Sequence, residues 1–320
     1  MKSATLVLLA PLLLAPRLFG CARRDAPAPV SPAAPAVKPT ATPPRGSVAR
    51  TGDVGTYVST PSSFSTSSYW IEGDSGLVAI DTQLLPSAAE EMIERAETTT
   101  RKKLVLAIVL HANPDKFNGT SVFQRHGVRV VTSEQVRRLV PEMHEKGIRD
   151  FSERYAPDYP AELPRPDAFG AKTTDLMVAG VKLRLHVLGA ARSESHVVVE
   201  RPDTKDLFVG DLVASQNHAW IEIGKTDAWL SRLEELRRLD PRRIFPGRGP
   251  AGDATLLDDQ ETYLRAVISA VAAERPSLPL RTDALARAKK RVVDAYPTYG
   301  HALFLDAGLP AEWERQAKAR

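Results

Sequence analysis

The chain has 320 residues, enough for one large layered domain with extensions, and its 43% apolar and 26% charged content is that of an ordinary globular protein. The formal charge is +4, and two of those charges, Lys2 and Arg17, fall in an apolar leader. So small an excess, with no basic run interleaved with aromatics, argues against a nucleic-acid partner. The single cysteine, Cys21, excludes an internal disulfide.

Lys2 precedes the apolar stretch Leu6–Leu14, which is too short to span a bilayer as a mature helix, so residues 1–20 read as a signal peptide. Leu18-Phe19-Gly20-Cys21 puts a small residue directly before the cysteine and resembles a bacterial lipoprotein cleavage box. The alternative is a plain secretory signal with an incidental cysteine. The resemblance implies lipidation of Cys21 and, with Ala22 rather than Asp after it, an outer-membrane anchor facing the periplasm; otherwise the chain is secreted. Residues 21–46 then form a tether, since Ala26–Gly46 alternates Pro, Ala, Val and Thr without hydrophobic periodicity.

Residues 47–275 read as the folded domain. Val54–Ser59, Ser68–Gly73 and Gly76–Asp81 are expected strands, followed by a helix over Ala88–Thr100 that starts near Pro86-Ser87. Leu104–Leu110 is a buried strand, Asn118–His126 a helix and Val128–Thr132 a strand. Ser133 caps a helix to about His144, which Pro141 ends or kinks. Glu145–Lys172 reads either as a lid or as a surface excursion. Thr173–Val178 and Val181–Val187 form a hairpin at Ala179-Gly180, and strands His196–Glu200 and Asp206–Val209 follow. Thr226 caps a helix to about Leu239, Arg243–Pro246 is a strand, and Ala254–Ala273 is a long helix. Residues 276–320 read as a helical, peripheral extension. Alternating strands and helices imply layered α/β.

The most informative segment is Ile108–Gly119, IVLHANPDKFNG. A buried strand stops at His111, Asn113, Asp115 and Lys116, and a helix opens at Asn118-Gly119, which is where open α/β sheets place their sites. With Gly210–Val213 (GDLV) and Gly247–Pro250 (GRGP) in this order, the chain resembles the metallo-β-lactamase fold from about Val54 to Ala273. The resemblance implies an αββα sandwich: two mixed β-sheets face to face, flanked by helices. It also implies zinc ligands at seven positions, filled here by His111, Asn113, Asp115, Lys116, Arg192, Asp211 and Arg248. Three of these keep a ligand type: His111, Asp115 and Asp211. His111 and Asp115 are the matching catalytic positions.

Zinc takes four N, S or O ligands, and a guanidinium has no lone pair to offer. Two like charges ~4 Å apart repel by about 4 kcal/mol at an effective dielectric near 20. A dinuclear zinc site is therefore not expected. At most, one zinc or other divalent ion would sit on His111, Asp115 and Asp211, with His196 or His218 as further candidate ligands; the alternative is no metal at all. Lys116, Arg192 and Arg248 could instead pair with Asp115 and Asp211, leaving a positive excess beside Asn113 that would attract an anionic small molecule. Asp81 is expected to anchor loop backbone. Ser193 and Ser195 lie near His196, but sequence proximity is not triad geometry. Two functions remain open: an altered, at best mononuclear hydrolase, or a non-catalytic tethered protein that binds a ligand in a cationic pocket.

Overall fold

The computed structural model describes residues 45–319; the expected signal peptide, Cys21 and nearly all of the expected tether lie outside the described residues. The first sheet has seven strands in sequence order: β1 (Ser47–Thr51), β2 (Val54–Val58), β3 (Ser67–Glu72), β4 (Leu77–Ile80), β5 (Leu104–Ile108), β6 (Arg129–Ser133) and β7 (Asp167–Gly170). It is antiparallel through β4 and parallel from β4 to β7. Helices α1 (Pro86–Thr100), α2 (Pro114–Phe117), α3 (Thr120–Arg125) and α4 (Glu134–Tyr155) make its crossovers.

The second sheet, in the order β12-β11-β10-β9-β8, contains β8 (Thr174–Val178), β9 (Val181–Leu188), β10 (His196–Arg201), β11 (Asp206–Ala214) and β12 (Arg243–Arg248). Only β11 and β12 run parallel. Helices α5 (Thr226–Arg237), α6 (Thr255–Ala272), α7 (Thr282–Ala295) and α8 (Phe304–Lys318) pack with it. The result is the αββα sandwich.

The sheets meet through Tyr69, whose ring lies 5.5 Å from Phe208 and 5.3 Å from Phe245 in edge-on contact. Its hydroxyl donates to the Pro246 carbonyl at 2.6 Å, so one side chain ties β3 to β12 and satisfies its polar end while buried. A second core under the other sheet gathers Trp229, Leu264 and Trp313. Among the described residues, no helix is long and apolar enough to cross a membrane.

Several expectations need correcting. β1 and β7 carry no strong pattern and were not anticipated; β1 is exposed throughout. The helix expected over Asn118–His126 is observed as the shorter α3, and a further short helix, α2, precedes it; between the two, Gly119 presses against the Thr82 carbonyl, where a Cβ would stand at 1.9 Å. Ser133 does cap α4, accepting from the Val136 N–H at 3.2 Å. The helix passes through Pro141 to Tyr155, since its buried face (Val136, Val140, His144, Gly147) continues on both sides and outweighs one lost hydrogen bond. Thr226 is the first residue of α5, not its cap, and its hydroxyl donates to Glu312. The final helices are not peripheral: Trp313 and Phe304 are fully buried.

Candidate functional site

The carboxyl ends of β4, β5, β11 and β12 converge with the loop before β10. Strand β4 delivers Asp81, whose φ of 62° turns the chain sharply as the strand ends. Its Oδ1 accepts from the Leu110 N–H at 2.8 Å. Strand β5 delivers His111 and leads into α2, whose first turn holds Asp115 and Lys116. The Lys116 carbonyl accepts from both the Thr82 N–H, at 2.8 Å, and the Thr82 hydroxyl, at 2.9 Å, which fixes that turn against the strand ends. Strand β11 delivers Asp211. Gly247 of β12 passes so close that a Cβ there would lie 2.0 Å from Asp211 Oδ1.

Arg248 is the centre of the cluster. Its Nη2 donates to Asp115 Oδ2 at 2.5 Å and its Nη1 to Asp211 Oδ2 at 2.6 Å. Nε donates to the Phe64 carbonyl at 3.1 Å, and Nη2 also reaches Thr66 Oγ1 at 3.4 Å. Thr66 in turn donates to Asp115 Oδ2 at 3.0 Å, and the Asn113 amide donates to Asp115 Oδ1 at 2.6 Å. Lys116 Nζ, with 0% of its side chain exposed, lies 3.0 Å from Asp211 Oδ1, 3.4 Å from Asp115 Oδ2 and 3.8 Å from Asp81 Oδ2. These Lys116 approaches are ion-pair contacts, not aligned hydrogen bonds. Arg192 Nε and His111 Nε2 each lie 3.6 Å from Asp211 Oδ2.

Charge follows from burial and neighbours. Burial alone would raise the carboxyls of Asp115 and Asp211, yet the adjoining Lys116 and Arg248 hold both well below the usual carboxylate range. Burial also opposes the Lys116 charge, and Asp115, Asp211 and Asp81 overcome it, so its pKa is raised. Asp81 is pushed up to about 7 by burial, which Lys116 and the Leu110 N–H only partly offset. Burial depresses His111, and it drives His196 well below its ordinary value with help from His111 and Arg192. Both imidazoles are thus neutral. Three cations face three carboxylates, because Asp81 joins the cluster. The positive excess expected from the sequence disappears when Asp81 ionises.

A family model described as "Metallo-beta-lactamase superfamily" matches residues 62–248. The chain belongs to this superfamily. Its matched segment ends on Arg248 itself, leaving β1, β2 and α6–α8 outside. The chain is 22% identical over 188 residues to the metallo-beta-lactamase type 2 of Bacillus cereus, a match covering 57% of this chain and 66% of that protein. It is similar in fold to a metallo-beta-lactamase from Pontibacter korlensis, at TM-score 0.56 and 22% identity, covering 69% of this chain and 99% of that one. It is also similar to the metallo-beta-lactamase FIM-1 from Pseudomonas aeruginosa in a mono-zinc form, at TM-score 0.53 and 18% identity, covering 69% and 95%.

Members of this superfamily typically bind zinc. The donor set of this chain does not fit that ion. Asp115 Oδ2 and Asp211 Oδ2, two of the three retained ligand groups, are taken by Arg248. Lys116 Nζ stands between the two carboxylates. Among the described residues, no group of three or more His, Cys, Asp or Glu side chains is arranged to hold a metal. A divalent ion would have to displace two buried cations before finding ligands.

The structure brings together His111, Asn113, Asp115, Lys116, Arg192, Asp211 and Arg248. His196 is adjacent, its ring 5.2 Å from that of His111, with Nε2 accepting from the Ser193 N–H at 3.0 Å. His218 stands apart. It is buried against α6, with Nδ1 3.1 Å from the Tyr263 hydroxyl, and among the described residues it makes no hydrogen bond or ion pair with the cluster. Sequence reasoning missed Phe64 and Thr66, which lie in a serine-rich loop without a motif, and Phe304, whose ring carries the Arg248 guanidinium 5.2 Å from its centroid.

Proposed function

We propose that this chain is a zinc-independent superfamily member in which a buried salt cluster takes the place of the metal, and that it binds a ligand in the adjoining cleft instead of hydrolysing one. The observation that carries the reading is Arg248 bridging Asp115 and Asp211. A single planar guanidinium joins α2, which follows β5 of the first sheet, to β11 of the second, which is the cross-linking role a divalent ion would otherwise have. Fold alone does not bring hydrolysis with it, since activity resides in the site.

The test is elemental analysis of the purified full chain, as isolated and after zinc loading and desalting, together with thermal melts. The expected result is no stoichiometric zinc and no rise in melting temperature with excess Zn²⁺, because only an ion that prefers the folded chain raises it. One observation favours a mononuclear hydrolase instead: both His111 nitrogens and His196 Nδ1 are buried without a partner. One retained equivalent of metal, lost in His111→Ala, would decide for that reading.

We further propose that Cys21 tethers the domain to the bacterial envelope through a lipid, with residues 21–46 as spacer. Cys21→Ser is expected to abolish palmitate labelling and release the protein from the membrane fraction.

A further inference from the structure

The loop between β9 and β10, residues 189–195, has two faces. On one, Arg192 reaches inward to Asp211. On the other, Gly189, Glu194 and Ser195 line a cleft of about 410 Å³ whose facing wall is α4, with Gln135, Arg138 and Leu139. That volume falls within the ~300–1,000 Å³ of ordinary small-molecule sites.

Its charges are uncommitted. Arg138 Nε donates to the Glu134 carbonyl at 3.3 Å, and among the described residues the rest of its guanidinium meets no carboxylate. The Glu194 carboxylate is exposed and has no partner among the described residues. The two come from opposite walls and do not pair with each other. Gln135 donates from Nε2 to the Ala171 carbonyl at 2.8 Å, which leaves its Oε1 buried without a donor. Leu139, Val187 and Leu188, all partly buried, supply an apolar lining.

The backbone adds a direction. Strand β8 covers β9 only as far as Leu185, which lies opposite Thr174. His186, Val187 and Leu188 carry the strand on, paired with Val198, Val197 and His196 of β10 and, among the described residues, with no strand on the β8 side. A strand with one free edge accepts an extended segment through its backbone groups. A plain anion in this cleft would meet Glu194, and a plain cation would meet Arg138. A molecule with an ammonium at one end, a carboxylate at the other and peptide groups between them satisfies the whole set.

We propose that the cleft binds a short apolar peptide with free termini, its carboxylate on Arg138, its ammonium on Glu194 and its backbone along residues 186–188. Gln135 Oε1 accepts from one of its N–H groups. The inference rests on the ligand-binding reading and deepens it. It places the ligand beside the salt cluster, not within it, since Arg248 donates from all three of its nitrogens and none is left for the anion expected from the sequence.

The experiment is calorimetric titration of the full chain with leucyl-leucine, its N-acetyl form and its carboxamide, at neutral pH and physiological salt, where diffuse surface attraction is screened. The free dipeptide is expected to bind, and each cap to weaken it about fivefold, as the loss of a partly exposed ion pair would. Arg138→Gln is expected to erase the cost of the carboxamide and keep that of the acetyl group, and Glu194→Gln to do the reverse. Both substitutions fall at exposed positions, so the melting temperature is expected to stay unchanged. The crossed pattern separates two placed contacts from general surface charge. No binding of the free dipeptide, a cap that costs nothing, or a cap cost that survives its matching substitution would each overturn the proposal. Zinc analysis of the same preparation separates the two readings. Stoichiometric zinc alongside the crossed pattern removes only the zinc-independent reading, whereas a zinc-free protein that ignores the dipeptide removes only this inference.

Discussion

Arg237 and Arg248 each bridge more than one carboxylate, and they differ mainly in their access to water. Arg237 on α5 meets Glu234, Asp258 and Glu261 with 26% of its side chain exposed, and Asp258 is 68% exposed. Arg248 meets Asp115 and Asp211 with 5% exposed, and its partners are equally dry. At the surface, water solvates either partner whether or not the pair forms, so the pair contributes little. In the interior, the pair itself is worth little against an apolar core, but separating it leaves a charge with nothing to solvate it. The same contact is optional in one place and obligatory in the other.

The comparison breaks most readily at Arg248. Arg248→Ala is expected to cost ~3–5 kcal/mol in urea denaturation, because Asp115 and Asp211 then lose their bridging guanidinium and are left to the looser contacts of Lys116 and Arg192. A loss below ~1 kcal/mol would mean that the cluster behaves like a surface network.

Acidity sharpens the contrast within the cluster. Asp115 and Asp211 are depressed, so they bind fewer protons folded than unfolded, and their contribution is lost as pH falls below the ordinary carboxylate range. Asp81 has the opposite sign. Its carboxyl rises from 3.8 to about 7 on folding, so its contribution is full at low pH and is lost as pH climbs through that window. His111 and His196, neutral when folded, oppose that slope below their ordinary value of 6.5. The difference between the wild-type chain and Asp81→Asn isolates the aspartate. Measured by urea unfolding from pH 4 to 8, the variant is expected to lack the downward component between about pH 4 and 7.

Ionic strength gives a smaller effect. Raising NaCl to about 1 M, where the screening length is roughly 3 Å, should leave the cost of Arg248→Ala nearly intact and abolish that of Arg237→Ala. The smallest effect is Arg237→Ala itself, at about 1 kcal/mol or less in dilute buffer. If it exceeded Arg248→Ala, exposure would not be the controlling variable.

The sandwich was legible in the sequence because its strands follow buried runs such as Leu104–Ile108 and its loops keep a fixed order. Much of the cluster was legible for the same reason: Asp81, His111 and Arg248 lie at or just past strand ends, Asp115 and Lys116 in the helix that follows β5, and Asp211 in the GDLV motif within β11. What could not be read was partnership. Asp81 passes as a loop anchor, and it does accept from Leu110, yet only the fold places it beside Lys116 and balances the charge. Phe64 and Phe304 bracket Arg248 from segments far apart in the chain, without periodicity or motif to mark them. His218 illustrates the reverse case, a ligand-type residue drawn away by Tyr263 into a different core.

The position of Phe304 at the head of the last helix has a consequence for how the molecule is made. Chains emerge from the ribosome amino end first, and a domain folds as a unit. The segments that carry Asp81, Asp115, Asp211 and Arg248 are all synthesised before Phe304. Until α8 docks, these charges can stay hydrated, and none has to be dehydrated before its partner is within reach. The cluster therefore cannot lose its water fully until α8 has docked, and a nascent chain stalled before that helix would carry an open, hydrated charge pocket.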